Sequence, residues 1–147
     1  MKISHLKMAA TAIICAAAIQ VTAAMAHGAL AIGEPADVGK DGVAVGYAYG
    51  FGSTGEAEAE ALKKCLSYMQ APDSTRALCK IVQSFHNECF AVALDPADGT
   101  EGFGWAVAES QSEAYSIALQ KCRDTDGTNA DACVVQAQKC DVSDVLD

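Results

Sequence analysis

Residues 28–89 and 90–140 carry the same succession of signals. Glu34-Pro35-Ala36-Asp37 is answered by Asp95-Pro96-Ala97-Asp98, and Ser53-Thr54-Gly55-Glu56 by Ser110-Gln111-Ser112-Glu113. Ala61-Leu62-Lys63-Lys64-Cys65 is answered by Ala118-Leu119-Gln120-Lys121-Cys122. A duplication of this kind builds one supersecondary unit twice. The apolar runs Gly28–Gly33 and Phe90–Leu94 predict a first strand in each copy, followed by a Pro/Asp turn. Gly42–Phe51 and Gly102–Ala108, rich in Val, Tyr, Phe and Trp, predict a second. A helix then starts at Ser53 and at Ser110, where Ser-x-x-Glu fits a capping box. Leu78–Phe85 and Ala132–Gln138 predict the last strands. The fold expected is α+β: two ββαβ repeats related by pseudo-twofold symmetry, antiparallel, with two helices. One sheet or two fits this reading equally.

Helical spacing puts Ala57, Ala61, Leu62, Cys65, Leu66 and Met69 on one face of the first helix, with Glu56, Glu60, Lys63 and Lys64 opposite. Ala114, Ile117, Ala118, Leu119 and Cys122 form the matching face of the second. Small alanines let such a helix lie close to a sheet. Burial of the leucine-sized side chains is the expected main stabilising term, at about 1.5 to 3 kcal/mol each.

The amino-terminal 26 residues read as an export signal. Lys2, His5 and Lys7 precede an apolar run from Met8 to Ala24, and Ala24-Met25-Ala26 offers a small-x-small cleavage pattern. Cleavage there leaves residues 27–147 as one folded domain beginning with His27 and ending in a short acidic tail, 141–147. No membrane span is expected after that removal. The destination is periplasmic or secreted. Loss of Lys2 and Lys7 takes the formal net charge from −9 to −11. Nucleic-acid binding, which draws its affinity from Lys and Arg displacing counterions, has no basis in such a chain.

Loss of Cys15 turns seven cysteines into six, an even number that in an exported domain indicates disulfides. None of the spacings is C-x-x-C, so neither a zinc knuckle nor a thioredoxin-type pair has its signature. Of the many pairings open to six cysteines, the duplication favours those that map one copy onto the other. Cys65 with Cys79 and Cys122 with Cys133 would each tie a helix end to the following strand. Cys89 with Cys140 would then join the copies.

The opening Gly28-Ala29-Leu30-Ala31, the aromatic-glycine strand, the Ser-x-x-Glu-Ala helix start and the Ala-Leu-x-x-Cys helix end resemble a family of small exported bacterial proteins, domain of unknown function 4189. The resemblance covers about Gly28 to Cys140. It implies export, disulfides and this duplicated fold, and it brings no catalytic signature. Gly46-Tyr47-Ala48-Tyr49 stands where the second copy has Phe103-Gly104-Trp105-Ala106, which sets the two surfaces apart.

Motifs with chemistry are few. Gly50-Phe51-Gly52-Ser53-Thr54-Gly55 matches the glycine spacing of a dinucleotide fingerprint, but Glu56, Glu58 and Glu60 crowd the place of a pyrophosphate, and the second copy lacks the glycines. No cofactor is therefore expected. G-x-S-x-G and H-E-x-x-H are both missing, and Glu56 and Glu113 are accounted for as caps, so no catalytic residue is assigned. A nucleophilic cysteine would require Cys89 to stay unpaired beside His86. A mature amino-terminal His27 offers an amine and an imidazole together, and His86 could complete a copper site. The reading favoured is a non-enzymatic exported domain that presents a rigid acidic surface to a protein or cell-envelope partner. Tyr47, Tyr49 and Trp105 are its candidate contacts; copper binding and an unrecognised enzymatic activity are the alternatives.

Overall fold

The structure, a computed structural model, describes residues 26–126 and 129–141. Of the expected export signal only Ala26 is among them, and of the expected tail only Asp141. The first copy runs β1 (His27–Gly33), α1 (Val38–Asp41), β2 (Ala44–Phe51), α2 (Thr54–Leu66), α3 (Asp73–Arg76) and β3 (Lys80–His86). The second runs β4 (Cys89–Leu94), β5 (Phe103–Ala108), α4 (Gln111–Asp126), a 3-10 turn (Ala130–Ala132) and β6 (Val134–Cys140). Two antiparallel three-stranded sheets result, ordered β2-β1-β3 and β5-β4-β6. The α+β duplicate of ββαβ units is thus the architecture, with two sheets instead of one. The short helices α1 and α3 are additions, the first capped by the Asp37 side chain accepting from Lys40 N.

The registers of the two sheets correspond except at the start of β1, where a shift between His27 and Ala29 against β2 has no counterpart between β4 and β5. Leu30 pairs with Tyr47 and Gln83, and Val92 pairs with Trp105 and Ala137. The ladder shifts register after Leu30 between β1 and β3, and after Val92 between β4 and β6.

Side-chain alternation along the central strands explains the layering. Ala29 and Ala31 point with Ala44 and Ala48 toward Ala57, Ala61 and Cys65 of α2. Ala91 and Ala93 share the equivalent core with Ala114, Ala118 and Cys122 of α4. The other faces meet: Leu30, Ile32 and Phe85 of one sheet pack with Phe90, Val92 and Phe103 of the other. The order of layers is therefore helix, sheet, sheet, helix.

Each helix touches its sheet chiefly through an Ala-Ala-Cys stripe, narrower than the face that the periodicity predicts, with Leu119 packed beside the second stripe. Leu66 is 48% exposed and Met69 83%; Ile117 is exposed as well. The cause lies under the helix. A Cβ at Gly46 would stand 2.1 Å from Ala61 O, and one at Gly104 would stand 2.4 Å from Ala118 O. With backbones this close only small side chains fit between, and larger ones are forced to the flanks. The bulky residues that contribute about 1.5 to 3 kcal/mol each are buried between the sheets.

Both helix starts use their serine. Ser53 Oγ accepts from Glu56 N at 3.3 Å and Ser110 Oγ from Glu113 N at 3.2 Å. Glu56 does not reach back to the backbone of Ser53; its carboxylate accepts from the Ser53 hydroxyl at 3.1 Å.

Three disulfides join Cys65 to Cys79, Cys122 to Cys133 and Cys89 to Cys140. The first two tie helix to strand within each copy. The third corrects one expectation: Cys89 opens β4 and faces Cys140 of β6, so this bridge closes the second copy on itself and does not join the copies.

Candidate functional site

Position by position, His27 of β1 corresponds to Cys89 of β4, and His86 of β3 to Cys140 of β6. His27 pairs with His86 across the first sheet as Cys89 pairs with Cys140 across the second. The first copy therefore holds two imidazoles where the second holds a disulfide. The rings stack with centroids 4.7 Å apart and planes 28° from parallel. The repeat boundary falls after His86, and residues 87–88 link the sheets.

Hydrogen bonds orient both rings of the pair. His86 Nδ1 lies 2.7 Å from the carbonyl oxygen of Ala26 and His86 Nε2 lies 3.0 Å from Asn87 Nδ2. The carbonyl can only accept, so Nδ1 donates to it, and Nε2 is paired with the Asn87 amide. His27 Nδ1 stands 3.1 Å from Thr54 Oγ1, at the start of α2. Asn87 has φ 55°, a left-handed conformation that asparagine tolerates better than most residues.

Asp141 completes this end of the molecule. Its Oδ1 accepts from Glu88 N at 2.9 Å, and its own N donates to Glu88 O at 3.0 Å. Oδ2 is buried with no hydrogen-bond partner, and the residue is 2% exposed. Burial pushes the Asp141 carboxyl above the usual carboxylate range, against the opposing pull of the Glu88 N–H and of the His86 and His27 imidazoles. A buried carboxylate oxygen without a donor is costly unless something positive comes near it.

The remaining sequence candidates lie elsewhere. Cys89 is bonded to Cys140, which removes the nucleophilic-thiol reading. Tyr47 and Trp105 are half-buried at the edge of the core between the sheets, Tyr47 packing on Phe90 at 4.8 Å; Tyr49 is exposed. Strand pairing aligns Gly46-Tyr47-Ala48 with Gly104-Trp105-Ala106, so the difference between the copies seen in the sequence is a shift in alignment. Their surroundings match as well. Lys64 donates to Tyr47 O at 3.1 Å and lies 5.8 Å from its ring centre; Lys121 donates to Trp105 O at 3.0 Å and lies 5.0 Å from its ring centre.

Sequence reasoning missed the opposite end of the sheets. A cavity of about 500 Å³ opens there between 38–43 of the first copy and 94–103 of the second. Glu101 bridges the copies by accepting from Val38 N and Gly39 N, each at 3.2 Å. Asp95 borders the cavity, and the Asp126 carboxyl behind it is raised by burial, by the Asp95 charge and by a hydrogen bond to Asp95. Asp95 is engaged by Ala97 N at 2.8 Å and Asn129 Nδ2 at 3.3 Å, which makes the pair a clasp between loop and helix end. The repeated Pro-Ala-Asp turn was its only trace in the sequence.

Among the described residues, no group of three or more His, Cys, Asp and Glu side chains is placed to hold a metal ion, and no helix is long and apolar enough to cross a membrane. A family model described as Domain of unknown function (DUF4189) matches residues 27–140. No curated protein and no solved structure matches the chain.

Proposed function

Taking as premise that the chain belongs to the DUF4189 family over residues 27–140, we propose that it is an exported, non-catalytic binding domain of the periplasm or the cell exterior. Residues 1–26 are its removable signal and residues 27–147 its mature form. The observation that carries this reading is a scaffold closed by three disulfides, bonds that persist in oxidising compartments, under a surface of unneutralised carboxylates. The ion pairs among the described residues engage only Glu60 and Asp73, while Glu34, Asp98, Glu101 and Glu109 lie exposed. A surface of this kind suits a cationic patch on a protein or envelope partner, with the charge giving steering and register. The test is a pull-down from the native envelope fraction with thiols left oxidised. A partner retained at low salt and released at high salt is the expected result, because exposed charge pairs are screened. Retention that ignores salt, or no specific partner, overturns it.

A second reading, copper binding, is favoured by one observation. The stack of His27 on His86 brings together the two imidazoles that this reading needs.

A further inference from the structure

The hydrogen bond from His86 Nδ1 to the Ala26 carbonyl, at 2.7 Å, is made to the very peptide bond that signal removal would cut. Within one peptide group the oxygen and nitrogen lie about 2.3 Å apart. His86 Nδ1 is therefore within about 5 Å of His27 N before cleavage, and cleavage takes away the acceptor that holds it. What stays behind is an α-amine, the His27 imidazole on the same residue, and a second imidazole already stacked on the first at 4.7 Å. The amine and Nδ1 of an amino-terminal histidine close a six-membered chelate, and the His86 imidazole is the third donor.

Two neighbours suit the arrangement. Once Ala26 is gone, the His86 proton can move to Nε2, where Asn87 serves equally well by turning its amide so that Oδ1 accepts; a ligating imidazole commonly donates its other N–H in this way. Asp141 places a buried carboxyl oxygen without a donor at the same end of the molecule. Nitrogen donors of this kind favour Cu(II) over the other divalent first-row ions.

We propose that cleavage after Ala26 creates a Cu(II) site from the α-amine and imidazole of His27 and the imidazole of His86, and that the Ala26 carbonyl occupies His86 until then. The inference rests on the export reading, and the experiment separates the two. Amino-terminal sequencing and intact mass of the natively exported protein come first. A terminus other than His27 overturns processing at this bond and the site with it. Protein with His27 first is then titrated with Cu(II) alone by calorimetry and monitored by thermal unfolding. The comparison is His86→Phe, whose ring can still stack on His27. One Cu(II) per chain is expected, bound at least tenfold more tightly than by His86→Phe, with a copper-dependent rise in Tm because the folded state is the one that binds. Paramagnetic resonance on protein with ¹⁵N-labelled histidine counts the imidazoles without any substitution, and two are expected. Equal affinity in His86→Phe, one coordinated imidazole, or an unmoved Tm overturns the site and leaves export standing.

Discussion

At the start of the first strand and the end of the last, the two copies keep the same cross-strand pairing and differ in what holds it. The second copy holds β4 to β6 by the Cys89–Cys140 bond, and the first holds β1 to β3 by His27 stacked on His86 and by His86 reaching Ala26. A covalent staple constrains the unfolded chain and leaves its atoms chemically spent. A ring stack contributes about 1 kcal/mol and leaves the ring nitrogens free of covalent bonds to one another, each engaged at most by an exchangeable hydrogen bond. The lesson is that one architectural position can serve stability in one copy and chemistry in the other. The Asp95–Asp126 clasp is a second difference: register places Gly33 where the second copy has Asp95.

The largest effect should come from exchanging the two devices. Cys89→Ala with Cys140→Ala should cost about 4 kcal/mol in the chain-entropy treatment of the loop closed, whereas His27→Ala with His86→Ala should cost about 1 kcal/mol. Urea unfolding of both double variants measures this, and equal losses would break the contrast. His27→Cys with His86→Cys should instead form a bridge and gain stability that a reductant removes.

A smaller and symmetric effect is expected beneath the helices. Gly46→Ala and Gly104→Ala each place a methyl against helix backbone, 2.3 Å from Cys65 N and 2.5 Å from Cys122 N respectively. Each should cost about 3 kcal/mol, the upper range for overpacking, and by similar amounts. Thermal unfolding that spares one of them would show that the two helices do not sit alike.

The smallest effect concerns the clasp. Asp126 has a folded-state pKa above the ordinary carboxylate value because of burial and the neighbouring Asp95. Its contribution is therefore full below that ordinary value, about 3.9, and is lost as pH rises through the raised one. Asp126→Asn should be more stable than the native chain at neutral pH and should show a flatter stability profile between acid and neutral. A steeper profile would contradict the shift.

Much of this architecture could be read from the residues, because capping serines, proline turns and the paired spacings of Cys65/Cys79 and Cys122/Cys133 are local signals. What escaped is non-local. Ala29-Leu30-Ala31-Ile32 reads as an unbroken apolar run because both of its faces are buried, and only the partner layers reveal that the small residues face α2 and the large ones the other sheet. The repeat boundary escaped for a related reason. Counting three cysteines per copy assigned Cys89 to the first, since nothing in a sequence marks a histidine as standing in the place of a cysteine. Only pairing across the sheet brought His27 and His86 together, so the candidate site was legible as residue types and not as a place.

The sheet-to-sheet core has an implication for how a single unit would behave. Half of this molecule, cut free at residues 87–88, would leave Leu30, Ile32, Phe85 and their neighbours bare on one broad face, and bare faces of that kind find a mate. The natural mate is an identical half, related by a twofold axis. A lone unit would thus be expected to pair with a second copy of itself, and in the present chain the second copy, tethered through residues 87–88, is already that cover.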